Sequence, residues 1–159
     1  MTASITIQRA GAGDVDEIAI MVGELLNEIM TAIGISVFNF SLDDTKARLK
    51  DFIEREKYFV FIAHHENAGP VGFVALFEGY ALYAEGAFGT IPELFVRPGF
   101  RSQSVGLRLV EQAKTFGSSR GWKRLEVTTP PLPQFDKTLA FYEREAFAIT
   151  GGRKLKVVL

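Results

Sequence analysis

The 159-residue sequence contains no cysteine. This absence excludes disulfide bonds, thiolate metal ligands and a cysteine acyl-enzyme intermediate. An acyl transfer through a covalent enzyme intermediate would therefore need a serine. The two histidines, His64 and His65, are adjacent in a predicted strand, so their side chains point to opposite faces and cannot easily bind one metal ion. No metal site is expected.

The sequence also lacks an excess of positive charge. Its 18 lysines and arginines are matched by 19 aspartates and glutamates, which gives a formal net charge of −1. A chain with this balance has no strong overall field to attract nucleic acid or an anionic membrane. We expect neither of those partners, and a small or weakly charged partner fits better.

Long apolar runs and leader-like segments are missing as well. No window approaches the roughly 18 to 20 apolar residues that span a bilayer, and the N-terminus has no basic segment followed by an apolar run. A cytoplasmic protein is expected. No repeat, low-complexity tract or linker divides the sequence, and 47% of its residues are hydrophobic. Residues 1–159 are therefore expected to form one domain around one core.

The spacing of apolar residues predicts alternating strands and helices. An amphipathic helix is expected from Asp14, with Glu17 completing a capping box, to Gly34. The runs at 58–65 and 71–80 are apolar on both faces, which is typical of a central sheet covered on each side. The full predicted order is a strand at 4–9, helices at 14–34 and 41–54, strands at 58–65, 71–80 and 90–96, a helix at 105–121, a strand at 124–129, a helix at 136–145, and a closing hairpin of 147–150 and 154–159. This β-α-α-β-β-β-α-β-α-β-β order predicts a mixed α/β fold, with a mostly antiparallel sheet flanked by helices.

Pro92 interrupts the predicted strand at 90–96. Proline has no N–H to donate to a ladder, so its presence favours a bulge or a splayed edge inside this strand. A ligand could enter the sheet there.

The segment 98–106, PGFRSQSVG, joins this strand to a helix and is the predicted active centre. A turn that begins at Pro98 and enters a helix near Gly106 points several free backbone N–H groups outward. These donors and the positive end of the helix dipole favour phosphate oxygens, and Gly106 has no Cβ to block a close approach. Arg101 adds a charged fork. An ordinary capped helix start is the alternative interpretation.

The pattern P-x-x-R-x-x-S-x-G in this segment resembles the pyrophosphate-binding turn of the GCN5-related N-acetyltransferase (GNAT) superfamily. That turn has Gln or Arg, two residues, Gly, one residue, then Gly or Ala. Ser104 departs from it where glycine would allow positive φ, although its hydroxyl can cap the helix. Residues 139–147, LAFYEREAF, resemble the family's A-x-x-F-Y-E-x-x-G-F segment. Here Ala146 replaces a glycine, and Phe135 replaces an asparagine often found seven residues before the tyrosine. With the order of elements, the resemblance extends over the whole chain.

The resemblance implies acetyl-CoA as the cofactor. Arg101 and backbone N–H groups from Ser102 to Leu107 would hold its diphosphate, and its pantetheine would run as an extra strand beside Leu94 to Val96. The implied cofactor-binding residues are Leu94, Phe95, Val96, Arg101, Ser102, Gln103, Ser104, Val105, Gly106, Leu107 and Tyr142. The N–H of Leu94 is the expected donor to the carbonyl oxygen on which negative charge develops.

Tyr142 and Glu93 are the expected catalytic side chains beside Leu94. The resemblance places Tyr142 where its phenol can protonate the departing thiolate; the alternative is an aromatic core residue beside Phe141. Glu93 adjoins the expected oxyanion donor and can take the proton of the amine, directly or through water. It could equally be a solvated or paired carboxylate, and Glu78 on the preceding strand is the reserve base.

The expected function is transfer of an acetyl group from acetyl-CoA to the primary amine of a small molecule, by direct attack in a ternary complex. A partly aromatic acceptor pocket, roofed by a loop at 81–89, is suggested by Phe38, Phe40, Tyr80, Tyr83 and Phe88. Two alternatives stay open: a protein or peptide N-acetyltransferase, which needs an open groove, and a non-catalytic acyl-CoA-binding module. A homodimer is compatible with the family resemblance.

Overall fold

A computed structural model describes residues 4–159. The strands are β1 (Ile5–Arg9), β2 (Phe59–His65), β3 (Gly69–Ala81), β4 (Gly86–Ile91), β5 (Leu94–Val96) and β6 (Leu125–Val127). The helices are α1 (Val15–Ile33), α2 (Leu42–Glu54), α3 (Val105–Ser119) and α4 (Asp136–Arg144), and short 3₁₀ turns precede α1 and follow β5. Within these described residues, every helix is too short or too polar to cross a bilayer.

The six strands form one sheet with the order β1-β2-β3-β4-β6, and β5 pairs with β3 off this path. All pairings are antiparallel except that of β4 with β6. The predicted fold class, a mixed α/β fold with a mostly antiparallel sheet flanked by helices, is confirmed.

Side chains alternate between the two faces of the central strands, and helices cover each face. The layer under α1 and α2 contains Ile18, Met21, Leu49, Val60, Ile62, Phe73 and Phe95. The layer under α3 contains Phe59, Phe61, Val71, Leu76, Leu109 and Trp122. Leu94 packs against the α3 layer. Side chains alternate along an extended chain, so Glu93, the residue just before β5, faces the layer of α1 and α2.

The ends of α1 and α2 follow from single residues. Gly34 ends α1 with a left-handed φ of 70°, and its N–H donates to Met30 O. Ser41 caps α2, because its hydroxyl accepts from the N–H of Asp44 at 3.3 Å. The capping box predicted for α1 is wrong: the Asp14 carboxylate accepts from the N–H of Gly11 at 2.9 Å instead. The 3₁₀ turn at Ala12–Asp14 brings the Gly11 N–H within hydrogen-bond distance of the Asp14 carboxylate.

The strand predicted at 90–96 is divided in two at Pro92. β3 is long enough to pair with both halves, through 77–81 with β4 and through 72–74 with β5. β4 also pairs with β6, from Gly89 opposite Leu125 to Ile91 opposite Val127, whereas β5 has no second neighbour among the described strands. The splayed edge predicted from Pro92 is confirmed, and it opens a gap between β5 and β6.

The loop predicted at 81–89 is largely strand. β3 continues to Ala81 and β4 already begins at Gly86, so only residues 82–85 connect them. Gly86 has a φ of 127°, a conformation that only glycine adopts readily and that lets the chain reverse so quickly. The connection is therefore too short to fold over a neighbouring site as a roof.

The closing hairpin predicted at 147–159 is also wrong, since no strand follows α4 in the described residues. The outer strand β6 spans three residues and is soon followed by Pro130 and Pro131. Prolines donate no ladder bonds, so β6 offers only a short edge for further pairing. The apolar side chains Ile149, Leu155 and Val157 are exposed as a result.

Candidate active site

One edge of β5 is free to pair with a ligand. The N–H of Ala75 donates to Glu93 O at 2.9 Å, and the N–H of Arg97 donates to Val71 O at 2.8 Å. Because backbone groups alternate along an antiparallel strand, the N–H and C=O of Leu94 and Val96 point away from β3, into the gap. Among the described residues, the N–H of Leu94 has no protein partner there, whereas Val96 O accepts from Arg101 Nε at 2.7 Å.

The N-terminus of α3 lies beside this edge. The bond from the N–H of Arg108 to Ser104 O, at 3.0 Å, begins the helical ladder. The backbone N–H groups at 102–107 consequently remain available, as the turn predicts. The Ser104 hydroxyl forms no cap, contrary to expectation, because this serine adopts a left-handed φ of 64° that directs its side chain away from the helix start.

The gap and the helix terminus form one cleft of about 670 Å³, bounded by α1, β5, α3 and α4. The predicted site residues in its lining are Glu93, Leu94, Phe95, Val96, Arg101, Ser102, Ser104, Val105, Gly106, Leu107 and Tyr142. Gln103 does not line the cleft: its amide donates to Gly99 O at 3.4 Å. The positive φ of the two flanking serines turns residue 103 outward. The cofactor and catalytic roles of all these residues stay predictions.

Several lining residues were missed by sequence reasoning. They include Leu25, Glu28, Ile29, Thr128, Lys137 and Phe141. Glu28 lies 73 residues before Arg101, yet its carboxylate binds the two terminal nitrogens of that guanidinium. Arg101 was expected to point freely at a diphosphate, so a phosphate contact requires it to exchange or share the Glu28 carboxylate. No local motif signals this pairing.

Tyr142 is 5% exposed and lines the cleft. Its ring lies between those of Phe141 and Phe147, with centroid distances of 5.3 and 5.4 Å. Burial raises the pKa of the phenol above its ordinary value, so the group carries its proton throughout the neutral range. Phe141 is a cleft residue as well, and a Cβ placed on Gly106 would lie 3.4 Å from its ring. The Phe141 ring of α4 therefore lies close to the start of α3.

Glu93 is a carboxyl group in an apolar setting. Desolvation raises its pKa to about 7, opposed in part by a hydrogen bond from Tyr58. The Tyr58 hydroxyl donates to Glu93 Oε2 at 3.4 Å. A base that titrates near neutrality and faces an open cleft suits general-base work.

Glu78, the reserve base, is held differently. Its carboxylate accepts from the Tyr80 hydroxyl at 2.5 Å, from Trp122 Nε1 at 2.6 Å and from Arg120 Nε at 3.4 Å. The bonds from Tyr80 and then Trp122 are the main reasons why its pKa is lowered. It is absent from the cleft lining. The geometry therefore favours Glu93 over Glu78 as the base.

The aromatic residues expected to form an acceptor pocket do not converge. Phe40 packs over Gly23 and Phe88 over Gly79, while Tyr83 is 77% exposed. A different cavity, of about 370 Å³, lies at the N-terminal end of β2, where the Tyr58 hydroxyl contacts Glu93. Its lining residues are Phe52, Glu56, Lys57, Tyr58, Phe77, Glu78 and Tyr80. Tyr80 is the one residue that this cavity shares with the expected set.

A family model identifies the chain by its sequence. The model of the acetyltransferase (GNAT) family matches residues 23–147. The chain belongs to this family. An uncharacterised N-acetyltransferase from Archaeoglobus fulgidus is 33% identical over 85 residues, which are 53% of this chain and 57% of that relative. The chain thus spans little more than half the length of the curated relative that it matches.

Solved structures share the fold along the whole chain. The aminoglycoside N-acetyltransferase AAC(6')-Iy in complex with CoA has a TM-score of 0.80 at 14% identity, over 99% of this chain and 97% of that one. An integron cassette protein from the mobile metagenome of Cole Harbour Salt Marsh has a TM-score of 0.79 at 22% identity, over 96% and 90%. An aminoglycoside acetyltransferase from an uncultured soil sample, in complex with trehalose, has a TM-score of 0.76 at 18% identity, over 98% and 96%. At these low identities, the TM-scores show a shared fold alone.

Proposed function

We propose that the protein is an acetyl-CoA-dependent N-acetyltransferase that acetylates a primary amine of a small molecule. One observation carries the proposal: the N–H of Leu94, which has no partner among residues 4–159, the Glu93 carboxyl with a pKa of about 7 and the buried Tyr142 phenol all border one cleft, next to the N-terminus of α3. Each group matches one requirement of acyl transfer from a thioester to an amine.

The residues of the cleft fit acetyl-CoA. Backbone N–H groups at 102–107 provide donors for the diphosphate at the positive end of the α3 dipole. The outward N–H and C=O groups of Leu94 and Val96 can pair with the pantetheine amides, as an added strand does at a sheet edge. Val96 O has a second lone pair beside the one that accepts from Arg101 Nε, and a contact of Arg101 with the diphosphate requires it to share or exchange the Glu28 carboxylate. Acetyl-CoA supplies the activated acyl group.

Three residues divide the chemistry of direct transfer. Glu93, as carboxylate, takes a proton from the acceptor ammonium before the attack, or from the amine nitrogen as it attacks. The Leu94 N–H donates to the carbonyl oxygen of the acetyl group while negative charge develops there. Tyr142 donates its proton to the leaving sulfur, and its raised pKa means that it holds that proton before the reaction. No serine or other nucleophile of the chain is needed.

Acetyl-CoA and a panel of amines test this function. We expect CoA release that depends on the amine, with an N-acetyl product detected by mass spectrometry. The panel contains simple alkylamines, an arylalkylamine, an aminoglycoside, spermidine and a peptide with a free N-terminus. Turnover of the peptide alone would replace the proposal with a protein N-acetyltransferase, and CoA binding without turnover on any amine would replace it with an acyl-CoA-binding module.

Residues 1–159 are proposed to act as one N-acyltransferase domain, because the cleft draws its walls from α1 near one end of the chain and α4 near the other. A cytoplasmic location and a homodimer stay predictions from the sequence.

A further inference from the structure

The cavity beside Tyr58 is separate from the cleft assigned to acetyl-CoA. It is open to solvent and has a volume of about 370 Å³, and none of its lining residues belongs to the cleft lining. Tyr58 joins the two spaces, because it lines the cavity and its hydroxyl donates to Glu93 in the cleft at 3.4 Å. The side chain of Tyr58 therefore lies between the cavity and the proposed base.

The walls of this cavity are mainly aromatic rings. Phe52 packs against Tyr58 with a centroid distance of 5.0 Å, and Phe77 stacks on Tyr58 at 6.3 Å with an interplanar angle of 11°. Tyr80, at the rim, is 75% exposed. Rings in this arrangement present flat apolar faces, which pack best against another flat apolar group.

The charges around the cavity do not suit a polycation. The Glu78 carboxylate already accepts from Tyr80, Trp122 and Arg120, so its charge is largely engaged. Glu56 and Lys57 contribute opposite charges to the lining. Glu93, behind Tyr58, remains as the carboxyl group that can receive a single amine.

We propose that this cavity binds the acceptor, and that the acceptor is an arylalkylamine: one primary amine on a short apolar arm that carries a flat ring. The ring packs against Phe77 and Tyr58, and the nitrogen lies at Glu93. This assignment rests on the proposed acetyl transfer. The amine nitrogen forms a bond to the acetyl carbon while the carbon–sulfur bond breaks; Glu93 takes the amine proton and Tyr142 gives a proton to the sulfur. The products are an N-acetylated amine and CoA.

Initial rates with 2-phenylethylamine and butylamine, at saturating acetyl-CoA, test the assignment. We expect kcat/KM to be at least about tenfold higher for 2-phenylethylamine, the size of effect that an apolar pocket gives for lost hydrophobic contact. Phe77→Leu should reduce that preference by about tenfold, mainly through KM, because it removes the stacked ring and keeps an apolar side chain. CoA affinity should not change.

Tyr83→Leu is the matched control. It removes an aromatic ring that is 77% exposed and does not line the cavity, so the preference for 2-phenylethylamine should survive. Equal kcat/KM for the two amines, or a preference for spermidine or an aminoglycoside that Phe77→Leu leaves intact, would overturn the inference and leave N-acetylation standing.

A binding measurement separates this inference from the proposed function. Saturation-transfer NMR should detect 2-phenylethylamine on the wild type and on Tyr83→Leu, and a weaker signal on Phe77→Leu. If no amine is acetylated but this pattern of binding is found, the cavity assignment holds and the acetyl-transfer function fails. If the Phe77→Leu signal equals that of the wild type, the cavity assignment itself fails.

Discussion

The surroundings of Glu93 and Glu78 shift the pKa values of these two carboxyl groups in opposite directions. Glu93 loses water without gaining a cation, and its pKa rises to about 7. Glu78 gains three donors, and its pKa falls. The sequence named Glu93 as the base and Glu78 as the reserve, but it could not show the contacts that separate them, because Tyr58 and Trp122 lie 35 and 44 residues away from the glutamates they contact.

Replacing Glu93 by glutamine should change the pH dependence of the rate. A base acts only when it is deprotonated, so the wild-type kcat/KM should rise through pH 7 as Glu93 ionises, in addition to the rise caused by deprotonation of the amine. The loss in Glu93→Gln should therefore be largest above pH 7, about 10² to 10⁴-fold, and small at pH 5. A pH–rate profile from pH 5 to 9 checks this, and parallel profiles for the two proteins would remove Glu93 from proton transfer.

The same substitution gives an independent stability test. A carboxyl whose pKa is raised in the folded state disfavours folding once the pH passes its unfolded value near 4.5, and the penalty is complete above about 7. Glu93→Gln removes this penalty, so its free energy of unfolding relative to wild type should increase by up to about 3 kcal/mol between pH 4 and pH 8. Urea unfolding at both pH values measures the difference.

Tyr142→Phe tests the proposed acid. The substitution keeps the ring between Phe141 and Phe147 and removes only the hydroxyl. We expect turnover to fall by about 10 to 1000-fold, the range for a positioned general acid, with CoA affinity and thermal stability nearly unchanged. Kinetics and calorimetric titration provide the comparison. Full turnover with amines of differing basicity would leave Tyr142 as a packing residue.

At the scale of elements, two turns have left-handed backbone at residues other than glycine: the turn before α3 and the turn after α4. Ser102 and Ser104 both adopt a φ of 64°, and Ala146, which replaces the family glycine after α4, has a φ of 73°. The turns thus keep left-handed geometry with residues that disfavour it. Such strain persists where the surrounding structure requires the conformation.

Ser104→Gly should relieve that strain. Left-handed backbone costs a non-glycine residue roughly 1 to 2 kcal/mol, and glycine costs about 0.5 to 1 kcal/mol in the entropy of the unfolded chain, so a gain of about 0 to 1.5 kcal/mol is expected. CoA affinity should be equal or slightly tighter, because the backbone N–H groups stay in place. Denaturant unfolding and calorimetry measure both quantities.

Ser118→Gly is the control for that change, because Ser118 is exposed within the right-handed turns of α3. Glycine there should lower stability slightly. A large loss of CoA affinity in Ser104→Gly would show that the serine side chain itself contacts the cofactor.

Sequence reasoning succeeded where one residue dictates local geometry. Pro92 has no N–H to donate to a neighbouring strand, and this predicted a bulge or a splayed edge. In the same way, Gly34 predicted the end of α1 and Ser41 the start of α2. The closing hairpin failed because alternation at 154–159 predicts a strand only if a partner edge exists, and β6 provides three residues. In the site, Glu28 and Tyr58 were missed because their contacts join distant segments.

At the scale of the whole molecule, Trp122 connects several elements. Its ring contacts Phe59 of β2 and Phe116 of α3, and its Nε1 donates to Glu78 of β3 at 2.6 Å. The ring also covers two glycines: a Cβ on Gly117 would lie 2.8 Å from Trp122 Cε3, and a Cβ on Gly89 would overlap the ring. β4 and α3 can approach this closely only because both positions lack a side chain.

Gly89→Ala should therefore destabilise the protein as a whole. The methyl group must displace Trp122 or β4, and overpacking of this kind costs about 1 to 3 kcal/mol. For a chain of this size each kcal/mol lowers Tm by about 2 to 4 °C. Trp122 is the sole tryptophan, so its fluorescence emission reports the same displacement directly. Gly13→Ala is the matched control, since a Cβ there meets nothing within 4 Å and Tm should stay within about 2 °C of wild type. Equal Tm and emission for the two variants would mean that Trp122 is not seated against Gly89, and the tight contact between β4 and the α3 layer would have to be abandoned.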